Sequence, residues 1–225
     1  MKGNKLGKVG GTCSILVGIS YILVGITYLL VPAEQRPGSS PAAFLTSFAQ
    51  NPMMEILMWW AFALGAVFAI AAVLAVSEMV LPLNEGWVRW TSNLAVIGFA
   101  VTALNYFRYM AYNPTLAAAY ATGDATAKAA AASSQSVLAL DPNGWLIFGG
   151  VGLWFLVVNL LALSGNTWPK ILSYVGIAGA IAYLLVVAGY VFQMYILISI
   201  AAAAAIVLGP IWYIWAGLTL RKATS

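Results

Sequence analysis

From Ile171 to Leu220 the chain runs for fifty residues without one Asp, Glu, Lys or Arg. A helix rises about 1.5 Å per residue and a bilayer's hydrocarbon core is about 30 Å thick, so one crossing uses about 20 residues. The stretch is therefore too long for a single crossing. It divides near Gln193 into spans over 169–191 and 195–220, joined by a tight turn. Four further apolar runs, at 9–31, 54–77, 90–112 and 144–163, have the right length for one crossing each. Inside lipid every backbone polar group must be paired within its own segment, which helices achieve. The expected fold is an all-α transmembrane bundle of six spans, forming one domain over 1–225.

Composition agrees with a lipid-facing surface. Only 7% of residues are charged, against about 25% in soluble domains. The first span starts after Lys2, Lys5 and Lys8 and is followed by Val31, Pro32 and Ala33, which loosely fits a secretory signal. Its apolar core is longer than the roughly 7–15 residues of such signals, so a retained span is expected. Lys and Arg set the orientation. With the N-terminus inside, Lys2, Lys5, Lys8, Arg89, Lys170, Arg221 and Lys222 lie inside, and Arg36, Arg108 and Lys128 outside. That predicts a multi-pass protein of the cell (inner) membrane with both termini cytoplasmic. No basic stripe suggests nucleic acid.

Two long connections, 32–53 and 113–143, then fall outside. Ser40 and Pro41 form an N-cap and first-turn pair opening a short helix through Ala49. Phe44, Leu45 and Phe48 give it an apolar side suited to the membrane surface. The second connection is alanine-rich, so one or two short helices are expected before Asp141-Pro142-Asn143-Gly144.

Small residues four apart mark close helix approaches. Ala61, Gly65 and Ala69 do so in the second span, Ser14 and Gly18 in the first, and Gly176 and Ala180 in the fifth. They fit packing within one bundle or docking of another subunit. A seven-residue repeat in span one sets Gly18 and Gly25 near one seam and Tyr21 and Tyr28 near another. Trp87, Trp90 and Trp168 fall at the inner interface, and Trp59, Trp60, Tyr109, Tyr112 and Trp145 nearer the outer one, as an aromatic belt.

The chain has no histidine and one cysteine, Cys13. His-ligated haem, the common catalytic zinc sites and an intramolecular disulfide are thereby excluded. No metal cluster, cofactor signature or catalytic set is apparent, so no enzyme activity and no cofactor are expected. Ionisable groups at mid-membrane depth mark ion pathways, and none occurs near the centre of a span. Arg108 comes closest. It shares a helix face with Asn105 and Tyr112, while Glu55 and, one turn further in, Trp59 stand at similar depth on the second span. Two readings fit: Glu55 and Arg108 pair directly or across a polar pocket lined by Asn105, Tyr112 and Trp59, or Arg108 snorkels and Glu55 is solvated. Asn159, within the fourth span, suits a helix–helix hydrogen bond.

Several stretches resemble a known family: Asp141 through Gly150, the run from Ser164 through Pro169 and Lys170 into span five, the ending from Pro210 to Lys222, and the opening Lys8-Val9-Gly10-Gly11. Together they are similar to an uncharacterised bacterial family of six-span membrane proteins, a domain of unknown function. Ser173 stands where that family usually has glycine, and the outer Ala-rich loop does not match. The resemblance implies a six-span topology and supplies no activity or catalytic residues.

Two functions fit these features. One is a non-catalytic accessory subunit or self-associating scaffold, partnered by other membrane proteins or by copies of itself. The other is a binder or carrier of a small apolar ligand or lipid, through an outward-facing aromatic pocket near Arg108.

Overall fold

The computed structural model describes residues 5–36 and 38–223; Lys2 lies outside them. Eight α-helices and no strand occur among the described residues: α1 (Lys5–Leu30), α2 (Pro41–Gln50), α3 (Met53–Val80), α4 (Glu85–Thr122), α5 (Ala125–Ser136), α6 (Val151–Gly165), α7 (Lys170–Val191) and α8 (Tyr195–Ala223). A π-helical turn, Trp145–Gly150, leads into α6. Six of these segments are long and apolar enough to cross a membrane, and the chain is a multi-pass membrane protein.

The six spans close a ring. α1 packs on α3, α3 on α4, α4 on α6, α6 on α7, α7 on α8, and α8 returns to α1. Glycine makes the last seam possible. A methyl group at Gly217 would lie 2.6 Å from the Gly11 carbonyl oxygen, and one at Gly18 would lie 3.1 Å from that of Pro210. Between α1 and α3, Gly10 meets Ala75, and Gly65 meets Ser20 and Tyr21. Ala61, Ala69 and Ala180 are buried, Ser14 donates to the Tyr213 carbonyl at 2.6 Å, and Gly176 lies on the Asn159 amide. Each of these small residues packs against another helix of the same bundle or is buried in it.

The end where Gly11 meets Arg221 carries both chain termini. The opposite end is capped by α2, α5 and their connections. Two elements of this cap differ from expectation. Helix α4 does not stop at Tyr112 but continues through Pro114 to Thr122. Its 38 residues span about 57 Å, so its last turns stand clear of the hydrocarbon. Proline removes one backbone donor, but Ala117 is buried and Leu116 and Tyr120 pack on the core, while alanine favours helix. Helix α2 has the expected cap, with the Ser40 side chain accepting from Ala43 N at 3.2 Å. Its Phe44, Leu45 and Phe48 face the bundle, however, and are buried there. The aromatic side chain of Trp59 gives them a protein surface to cover in place of a membrane surface.

Candidate functional site

Glu55 occupies the first turn of α3, just after the α2–α3 connection, and is 4% exposed. Its Oε2 has no hydrogen-bond partner. Trp59, one turn further, lies beside the carboxyl and is held from both sides. Phe48 stacks on it at 5.3 Å between ring centroids, and Tyr109 of α4 approaches at 5.7 Å. From there the rings continue inward. Tyr109 meets Tyr106 at 5.7 Å, Tyr106 stacks on Phe62 at 4.4 Å, Phe62 meets Tyr21 at 6.2 Å, and Tyr21 meets Tyr213 at 6.1 Å. A continuous aromatic path thus runs from the cap to the middle of the bundle.

Tyrosine hydroxyls line this path. Tyr106 and Tyr109 lie within electrostatic range of Glu55. Tyr21 is in range of both Tyr106 and Tyr183, and Tyr213 of Tyr21 and Tyr183. The hydroxyl of Tyr213 is buried without a partner. Four helices (α1, α4, α7 and α8) thus each contribute a tyrosine to this region.

The polar groups nearer the termini are mostly paired. Ser92 Oγ lies 2.7 Å from Ser77 Oγ, and the Trp154 indole donates to Ser77 at 2.9 Å. Trp212 donates to Asn159 Oδ1 at 2.9 Å. Of the buried unpartnered side-chain atoms among the described residues, Gln35 Oε1, Glu55 Oε2, Arg108 Nε and Asn113 Oδ1 lie toward the cap; Trp168 Nε1 and Ser173 Oγ lie at the terminal end.

Glu55 and Arg108 are not an ion pair. Tyr106, which faces Glu55, and Arg108 are two residues apart on α4, about 200° of helix rotation. Tyr106 and Arg108 thus leave α4 in different directions, with Tyr109 in range of both charges. Arg108 instead sits 6.0 Å over the ring of Tyr112, itself 54% exposed. Asn105 is buried, and its Oδ1 accepts from Leu140 N at 2.9 Å, fastening the connection before α6. Of the five residues expected to form a pocket, Glu55 comes together with Trp59 and Arg108 with Tyr112, as two separate pairs. The neighbours of the first pair are Tyr106 and Tyr109, which the belt pattern disguised.

A family model described as a domain of unknown function, DUF4386, matches residues 14–218. The chain belongs to the DUF4386 family. No curated protein matches it, and no solved structure does. The match takes in all six spans of this DUF4386 protein, together with Glu55 and the tyrosine-lined path. Among the described residues no group of His, Cys, Asp and Glu is placed to hold a metal ion.

Proposed function

We propose that this DUF4386 protein binds or carries a small, largely apolar molecule inside its helix ring, entered from the capped end. The carrying observation is the aromatic path through Tyr109, Tyr106, Phe62 and Tyr21, which ends on the buried hydroxyl of Tyr213. The Tyr213 hydroxyl has no hydrogen-bond partner, and Tyr213 is 0% exposed. Binding sites for small molecules are commonly aromatic-walled with a few convergent polar groups. Leaving a buried hydroxyl unpaired costs about 1–3 kcal/mol, which a ligand oxygen or nitrogen would recover. The site sits on the Tyr106 side of α4, away from Arg108.

The first of the two expected functions, an accessory subunit or self-associating scaffold, drew on the missing catalytic groups, the large outer cap and small-residue faces. Those residues pack inside the bundle, so they no longer argue for a partner. We also infer that the protein lies in the cell (inner) membrane with its terminal end in the cytoplasm. Lys5, Lys8, Arg89, Lys170, Arg221 and Lys222 gather at that end.

The test is extraction in mild detergent followed by native mass spectrometry. A small molecule should be retained in fixed ratio, and Tyr213→Phe should reduce its occupancy while raising the unfolding temperature of the empty protein, since the orphaned hydroxyl is gone. Empty protein that no apolar ligand stabilises against heat would sink the proposal. A protein subunit recovered in fixed ratio, with no small molecule, would favour the accessory role.

A further inference from the structure

Three of the buried unpartnered atoms are acceptor oxygens at one corner of the cap: Gln35 Oε1, Glu55 Oε2 and Asn113 Oδ1. Their residues are 3%, 4% and 1% exposed. The Gln35 amide has a fixed sense, because its Nε2 donates to Ser47 Oγ at 3.0 Å and to the Asn51 carbonyl at 3.1 Å. A carbonyl accepts only, so the orphan is the oxygen. Glu55 follows Asn51 by four residues, across the short connection into α3. Asn113 stands one turn beyond Tyr109 on the same side of α4, a helix that packs on α2. Tyr109 in turn meets Trp59, one turn from Glu55. All three oxygens therefore border the place where α2, α3 and α4 meet.

Three acceptors, one of them ionisable, lack a donor there. Arg36 is engaged with the Val31 and Leu29 carbonyls and lies over Tyr28. Arg108 makes no ion pair with Glu55 and lies over the Tyr112 ring. A buried carboxylate without a counter-charge is costly, and the aromatic faces of Trp59 and Tyr109 favour a cation.

Resting on the reading of the tyrosine-lined path as a ligand site, we infer that the ligand is an amphiphile with a primary ammonium head, held by Gln35, Glu55 and Asn113, its apolar part directed toward Tyr106 and Tyr21. An –NH3+ group has three donors for three orphaned oxygens, and its charge neutralises Glu55. Hard divalent metals suit the corner less well, since calcium takes about 6–8 oxygen ligands. The open cleft bordered by Glu34, Thr46, Gln50 and Tyr120 adjoins Ser47 and Asn51, and gives the head a route from the aqueous side.

The test compares amphiphiles of one chain length on the detergent-purified protein stripped of retained molecules. Dodecylamine should raise the unfolding temperature and bind at least about tenfold more tightly than dodecanol, the margin expected of a charge-assisted hydrogen bond. Glu55→Gln should erase that preference, and Asn113→Leu should weaken dodecylamine binding while dodecanol binding persists. Equal binding of the two amphiphiles overturns the ammonium head yet leaves the apolar site standing; binding of neither, nor of any other apolar molecule, removes both readings. Sodium stabilising the protein over N-methylglucamine and displacing dodecylamine would make the corner a metal-cation site and overturn the inference. Phosphatidylethanolamine and phosphatidylcholine nanodiscs separate the sources. Protection of the corner's amides by the former alone points to a lipid head, and competition by free dodecylamine in both points to a soluble amine.

Discussion

Asn159 shows how one polar side chain can fix several helices at once. It is 0% exposed. Its Nδ2 donates to the Phe155 carbonyl at 2.7 Å, and its Oδ1 accepts from the Trp212 indole at 2.9 Å. Gly176 of α7 leaves room for the amide. Asn159→Leu would leave the indole N–H without an acceptor, at a cost of about 1–2 kcal/mol in a membrane setting. Combining it with Trp212→Phe should return part of that loss, as read from unfolding midpoints in detergent. Gly176→Ala would press a methyl into the amide and should cost about 1–3 kcal/mol. Asn159 was legible in the sequence as a polar group in an apolar span. Trp212 was not, since an indole 53 residues away looks like any interfacial tryptophan. For the same reason Tyr106 and Tyr109 were hidden beside Glu55, while Arg108 drew attention by its charge and lies instead over the Tyr112 ring.

Helix spacing carries much of the architecture at the scale of elements, and its limits appear where packing outweighs local signals. Span lengths follow from apolar runs, because a crossing demands them. Pro114 is the kind of residue that ends a helix, and the burial of Ala117 with Leu116 and Tyr120 packed on the core explains why α4 runs past it. The π-helical start of the α6 span was similarly invisible. Asp141 accepts from Trp145 N at 3.0 Å, Leu146 N at 2.7 Å and Ile147 N at 2.9 Å. Gly144, at φ 70°, turns the chain there. Asp141→Ala should cost about 1–2 kcal/mol as a lost cap and speed amide exchange over 145–150, which hydrogen-exchange mass spectrometry resolves. The α1–α8 seam gives a sharper contrast. A methyl at Gly217 meets backbone 2.6 Å away, whereas one at Gly25 meets only the tip of Ile206, at 3.2 Å. Gly217→Ala should therefore cost about 1–3 kcal/mol. Gly25→Ala should be tolerated within about 1 kcal/mol, since a shift of a few tenths of an ångström relieves the one side-chain contact and alanine favours helix.

For the whole molecule, the ring and its cap make the two membrane faces unequal. One face holds both termini, short turns and most of the basic residues. The other holds α2, α5, the projecting end of α4 and the Glu55 corner. If the basic face is cytoplasmic, the entrance to the proposed site opens on the far side of the membrane, and a carrier would load there. Two positions report on this directly. Gly86 begins α4 at the terminal end and Ala129 lies on α5 in the cap, and both are exposed. Cys13 is the one native cysteine, so Cys13→Ala gives a silent background for single-cysteine variants. In intact cells a membrane-impermeant maleimide should label Ala129→Cys at once and Gly86→Cys only after permeabilisation. The reverse pattern would invert the orientation and place the entrance in the cytoplasm. Labelling of both without permeabilisation would contradict the crossing of α4 itself, because that helix is what separates the two positions.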